Sequence, residues 1–128
     1  MDYDGFVAEL LAAKTDLTGQ SAVQLLNRDA KNYQIHGVSL LLSQIELRDM
    51  SDIDPYLPEL KQEIGHTRQI TGLDMVILVL TDITHHNSVL YFSNNKTIRS
   101  RHIYLPGMTS RKKEILPWLT SHFSSLER

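Results

Sequence analysis

One short run concentrates the chemistry-bearing residues of this chain. Ser110, Arg111, Lys112 and Lys113 follow Gly107 and open a helical pattern whose apolar stripe is Ile115, Leu116, Leu119 and Phe123. The amino end of a helix is the positive end of its dipole, so three cations there cost roughly 0.3 kcal/mol or a little more per charge. Lys113 also stands where the acidic partner of a capping box would sit once Ser110 caps the helix. A solvated charged face would tolerate this arrangement. An anion site would need it: unsatisfied N–H groups point out of the helix start, Arg and Lys add charge and bidentate donors, Ser110 adds a hydroxyl, and Gly107 admits a close approach. Phosphate or another polyanion is the ligand class that this chemistry selects.

The remaining candidates are weaker. Lys31 in "NRDAKNY" sits where a helix gives way to a strand, which fits either a strand-edge lysine or a second phosphate ligand. Asp82, His85 and His86 lie at and just beyond a strand end. Adjacent histidines on a turn rarely converge on one ion, and no further carboxylate pattern accompanies them, so no metal-ligand set is predicted in this chain. His36, His66, His102 and His122 are scattered and receive no role. Lys96, Arg99 and Arg101 lack interleaved aromatics and read as solvated. P-loop, dinucleotide, nucleophile-elbow and zinc-protease signatures are missing from the sequence. No catalytic nucleophile or general base is predicted.

These residues must be positioned by an alternation of helices and strands. A helix is expected over residues 3–14, and a short one through Leu26, capped by Thr18 or a nearby polar residue. "KNYQIHG" and "VSLLLSQIEL" form a hairpin about Gly37. "SDIDPYLPELKQEIGHTRQITG" is a helix capped by Ser51 and Asp52, ended by Gly72, with Leu60, Ile64 and Ile70 inward; Pro55 suits its first turn. "LDMVILVLTDI" is apolar on both faces and belongs at the centre of a sheet. "HHNS" turns into the strand "VLYFS", "NNKTIRSRH" is a polar connection, and "IYL" is a last short strand. Pro106–Gly107 turn into the final helix, whose first turn Pro117 should kink or separate. The fold class is α/β, a mixed sheet of four or five strands flanked by helices.

Bulk composition narrows the function classes. A chain of 128 residues that is 41% hydrophobic makes one domain over 1–128 with a core of its own. A net charge of −2 supplies no general field for nucleic acid, so an anion site must be local. With no cysteine there is no disulfide framework, thiolate zinc site or thiol nucleophile, which fits a reducing, cytoplasmic setting. "MVILVL" is too short to span a bilayer, and no membrane or nucleic-acid partner is expected.

Three stretches in order, "RDAKNY" before the hairpin, "SQIEL" with "LDMVILVLTDI", and "LPGMTSRKKEILPWL", resemble the C-terminal domain of DHH-superfamily phosphoesterases. The type is that of manganese-dependent (family II) inorganic pyrophosphatases and their exopolyphosphatase and prune-like relatives. The resemblance runs from about Thr15 to Leu119, and "SRKK" is its most specific motif. It implies a two-lobed protein in which an N-terminal DHH lobe, absent from this chain, carries Mn²⁺ or Mg²⁺. The C-terminal lobe then holds pyrophosphate or short polyphosphate.

On that resemblance Arg111 and Lys112 contact phosphate, and Lys31 matches the other substrate lysine. Ser110 and Lys113 lie within the motif. A homodimer of the full-length protein is an arrangement left open. Glu114 stands where pyrophosphatases commonly have Gln, and "SNNKTIRSRHIY" replaces a longer helical segment, so the choice among phosphoanhydrides stays open. The chain alone is expected to hydrolyse nothing at a useful rate. A second function class is a non-catalytic domain that senses a phosphorylated ligand or docks a partner.

Overall fold

A computed structural model of the chain describes residue 17 and residues 19–94, 101–106 and 112–127; for Lys112 and Lys113 the description covers the backbone alone. The expected helix over residues 3–14, the Thr18 cap, the 95–100 connection, and Gly107 through Arg111 lie outside the described residues.

A five-stranded mixed sheet organises everything else. Its order is β1 (Ala30–Ile35), β2 (Val38–Leu47), β3 (Met75–Asp82), β4 (Asn87–Asn94) and β5 (Arg101–Pro106). β2 and β3 are parallel, and every other neighbouring pair is antiparallel. The parallel pair needs a crossover, supplied by a 3-10 segment (Met50–Tyr56) and helix α2 (Leu57–Thr71). All eight residues of β3 are buried, as its two-sided apolar sequence requires of a central strand.

Alternation along the strands divides the core in two. Leu41, Ile45, Leu47, Val76, Leu78 and Leu80 face α1 (Ala22–Asn27) and α2, meeting Leu25, Leu26, Leu60 and Ile64. Leu40, Leu42, Met75, Ile77, Val79 and Phe92 face α3 (Lys112–Glu127), meeting Ile115, Leu119 and Phe123. Among the described residues no helix is long and apolar enough to cross a membrane.

Local signals explain the boundaries. Ser21 and Gln24 cap α1 reciprocally: the Gln24 amide donates to Ser21 Oγ at 3.2 Å, and the Ser21 amide donates to Gln24 Oε1 at 2.8 Å. His36 (φ 51°) and Gly37 (φ 77°) both adopt the left-handed conformation that a two-residue hairpin turn demands. Gly72 ends α2 at φ 70°.

Several local expectations fail. Ser51 and Asp52 are not the caps; Asp49 is, accepting from the Ser51 amide at 2.9 Å and the Ser51 hydroxyl at 2.8 Å. The first turn containing Pro55 is 3-10, and α2 itself starts after Tyr56 with Pro58 in its first turn, where a missing N–H costs nothing. Ile70 is 70% exposed, since six residues beyond Ile64 carry it about 240° round the helix and off the inner face.

The break in the last helix is not at its first turn. Backbone dihedrals depart from helical values at His122 (φ −117°, ψ 16°), whose ring stacks on Trp118 at 4.8 Å. His122 Nδ1 donates to the Trp118 carbonyl at 3.1 Å, taking the acceptor that its own amide would use in a regular helix.

Candidate functional site

The strand directions gather one set of ends. The start of β1, the ends of β2 and β3, the start of β4 and the end of β5 all lie at the same edge of the sheet. Ligands of open α/β sheets bind outside the carboxyl ends of the parallel strands, which here is this edge.

Helix α3 is anchored at the other edge. His36 Nε2, at the hairpin tip of the opposite edge, donates to the Thr120 carbonyl at 3.0 Å, and the His36 ring lies 6.0 Å from that of Phe123. Asn94, at the start-side edge of β3, donates to the Leu126 carbonyl at 2.6 Å. The later half of α3 is thus pinned at the far edge. Its first residue, Lys112, precedes Thr120 by eight residues, about 12 Å along a regular helix. His36, given no role from the sequence, is part of this clamp.

Lys31 is at the carboxyl edge too. It is exposed, second in β1 and opposite Leu42, on the face that Tyr33 and Ile35 share with α3. Lys31 thus stands on the face of the sheet that α3 covers. Ser110 and Arg111 lie outside the described residues. The α1–β1 turn delivers Lys31 to the strand start.

A cavity of about 180 Å³ opens at the start of β1, where β2 runs on beyond the ladder. Arg28, Asp29, Gln44, Ile45 and Glu46 line it. Gln44 is only 9% exposed and its Nε2 has no hydrogen-bond partner. Gln44 was not legible as a site residue, since a single Gln in an apolar strand reads as an irregularity of the pattern.

On the α2 side of the same edge, Asp82 meets His85 and a residue that the sequence reading missed, Asp49. Their ligand-type atoms lie within 4.8 Å of one another. So a further carboxylate does accompany Asp82 and His85, brought from the other side of the crossover, whereas His86 stays out of the group.

These atoms are already in use. Asp82 Oδ1 accepts from the amides of Thr84 (3.0 Å) and His85 (2.9 Å). Asp82 Oδ2 accepts from the Met50 amide (3.3 Å) and His85 Nδ1 (2.8 Å). Asp49 Oδ1 holds Ser51. Burial pushes the Asp82 carboxyl upward, but hydrogen bonds from the His85 amide and ring and from the Met50 amide outweigh it and leave it below the usual aspartate range. The hydrogen bond to Asp82, then its charge, raises His85. The Ser51 hydrogen bonds lower Asp49. A Mn²⁺ or Mg²⁺ ion asks for about six oxygen-rich ligand positions, and this group offers three side chains whose facing atoms are taken up in a turn. It does not fit such an ion; it locks the end of β3 to the 3-10 segment.

Comparison with known proteins gives a consistent picture. The model of the DHHA2 domain matches residues 8–122. A Bacillus cytotoxicus protein named a probable manganese-dependent inorganic pyrophosphatase is 31% identical, over 98% of this chain and 44% of the relative. A Streptococcus mutans protein of the same name is 28% identical, over 97% of this chain and 43% of the relative. The chain thus spans less than half the length of these relatives. A solved Methanococcus jannaschii chain assigned to the family II inorganic pyrophosphatases superposes with a TM-score of 0.82 at 23% identity. That superposition covers 96% of this chain and 42% of the other, and it attests the fold.

Proposed function

The chain belongs to the DHHA2 domain family, and from that premise we propose that it is the substrate-binding lobe of a two-lobed, metal-dependent inorganic pyrophosphatase. One observation supports the reading: Lys31 stands at the carboxyl edge of the parallel pair, on the face of the sheet that α3 covers. Arg111 and Lys112, at and just before that helix start, join Lys31 as fixed cations for pyrophosphate, with Ser110 and Lys113 beside them. Manganese in the relatives' name supports Mn²⁺ as the ion. The family resemblance assigns that ion to an N-terminal lobe, and the group of candidate ligands among the described residues does not fit it.

The division of labour follows from charge. Hydrolysis of a phosphoanhydride builds negative charge on the leaving phosphate, and cations fixed in a site shielded from water stabilise it without reorganising. Lys31, Arg111 and Lys112 bind and orient the substrate, and none acts as nucleophile or general base. The metal, when bound by the other lobe, supplies the activated water.

Two assays test this. The 128-residue chain with Mn²⁺ should release no phosphate from pyrophosphate, and steady hydrolysis by the chain alone would overturn the division. In the two-lobed protein, Arg111→Ala or Lys112→Ala should lower kcat/KM roughly 10- to 100-fold, the loss of one charge-assisted hydrogen bond in a closed site. A change below twofold would return both residues to a solvated face.

A further inference from the structure

Gln44 is an anomaly of β2. It follows Leu40 and Leu42 at alternate positions on the α3 face and pairs with Val79, yet it carries an amide. That amide is nine-tenths buried, and its Nε2 finds no acceptor. A buried donor without a partner destabilises a fold, and an apolar residue of the same volume would serve β2 better. The other unpartnered buried atom among the described residues, Ser43 Oγ, points to the opposite face and does not border the cavity. Gln44 does border it.

The strand register puts this donor next to Lys31. Lys31 faces Leu42, two residues before Gln44 on the same face of the sheet. Lys31 and Gln44 are diagonal neighbours across β1 and β2, within common reach of one ligand. Arg28 lines the cavity, as do Asp29 and Glu46, each of which has a partner of its own. A ligand with several acceptor oxygens and negative charge matches the Gln44 donor and the Lys31 charge beside it. A cation does not, because the amide nitrogen is a donor only.

We propose that Gln44 is a substrate-contacting residue of this lobe, its Nε2–H donating to a phosphate oxygen of a phosphoanhydride whose charge Lys31 neutralises. This rests on the pyrophosphate reading above and deepens it. It assigns a neutral donor to a site otherwise described by its cations. It also gives the site a way to favour a phosphate oxygen held at one depth over a merely concentrated anion.

The test is calorimetric titration of inorganic pyrophosphate into the 128-residue chain at low salt, with thermal unfolding of every variant. Lys31→Ala should weaken binding roughly 10-fold, and Gln44→Met should do so by a similar factor. The melting temperature of Gln44→Met should equal or exceed that of wild type, which separates lost contact from lost fold. Gln44→Glu, the same shape with acceptors only, should bind more weakly than Gln44→Met, and it decides the matter should the methionine variant not fold. Weakened binding by Lys31→Ala together with unchanged binding by the Gln44 variants would overturn this proposal and leave the pyrophosphate reading standing. No binding by wild type, or none of its affinity lost in Lys31→Ala, would overturn both.

Discussion

Asp82 shows how far a single residue can organise this domain. Four donors from three residues converge on its carboxylate, and one of them, the Met50 amide, comes from the far side of the crossover. Replacing it by Ala leaves several amides without an acceptor and should cost about 2–3 kcal/mol in denaturant unfolding.

Its partner makes the stability pH-dependent with a definite sign. His85 is raised in the folded state, so its contribution is complete below the ordinary histidine value of 6.5 and fades as pH rises through the raised value. Asp82 is lowered, so its contribution is present above 3.8 and is lost as pH falls through the lowered value. His85→Ala should therefore lower the melting temperature most between pH 4 and 6.5, and by less as pH rises through the raised value. Equal losses at pH 5.5 and 8 would contradict the ion pair. From the sequence, Asp82 and His85 stood out but Asp49 did not, because the contact is made by tertiary folding and no spacing encodes it.

At the scale of elements, periodicity was a good guide where one force dominated. The two-sided apolar run of β3, the hairpin about Gly37 and the cap at Gly72 each follow from a single strong preference, and each is present. Gly37 should be the most sensitive turn residue. Its φ of 77° is strained for any Cβ, though no atom lies within 4 Å of where that Cβ would be. Gly37→Ala should cost about 1 kcal/mol, read as a shift in urea midpoint without a change in m. A neutral result would mean that the turn relaxes to another type.

Boundaries were harder to read where two local signals competed. Ser51 and Asp52 looked like caps, but Asp49 reached them first, and Pro55 fell into a 3-10 turn instead of the α-helix. Pro117 drew attention as a breaker, while the break came at His122, whose ring competes for the Trp118 carbonyl. Ring-to-backbone competition of that kind depends on a rotamer, which a residue pattern does not specify.

For the molecule as a whole, the alternation of helix and strand was enough to predict a mixed α/β sheet, and five strands realise it. Which residues share an edge required the register. Lys31 shares the face that α3 covers, and the proposed site adds to it the basic run near position 112. In the proposed site, cations that are costly at an isolated helix start would have their balancing charge supplied by a phosphate ligand.

The central claim is therefore that this edge is a phosphate site in its own right, before any second lobe closes on it. Titrating pyrophosphate into the 128-residue chain over a series of salt concentrations tests that claim most directly. The account predicts saturable binding that weakens steadily as salt rises and that falls further in an Arg111→Ala/Lys112→Ala double variant. Heat signals that do not saturate at low salt, or binding that the double variant leaves intact, would contradict it.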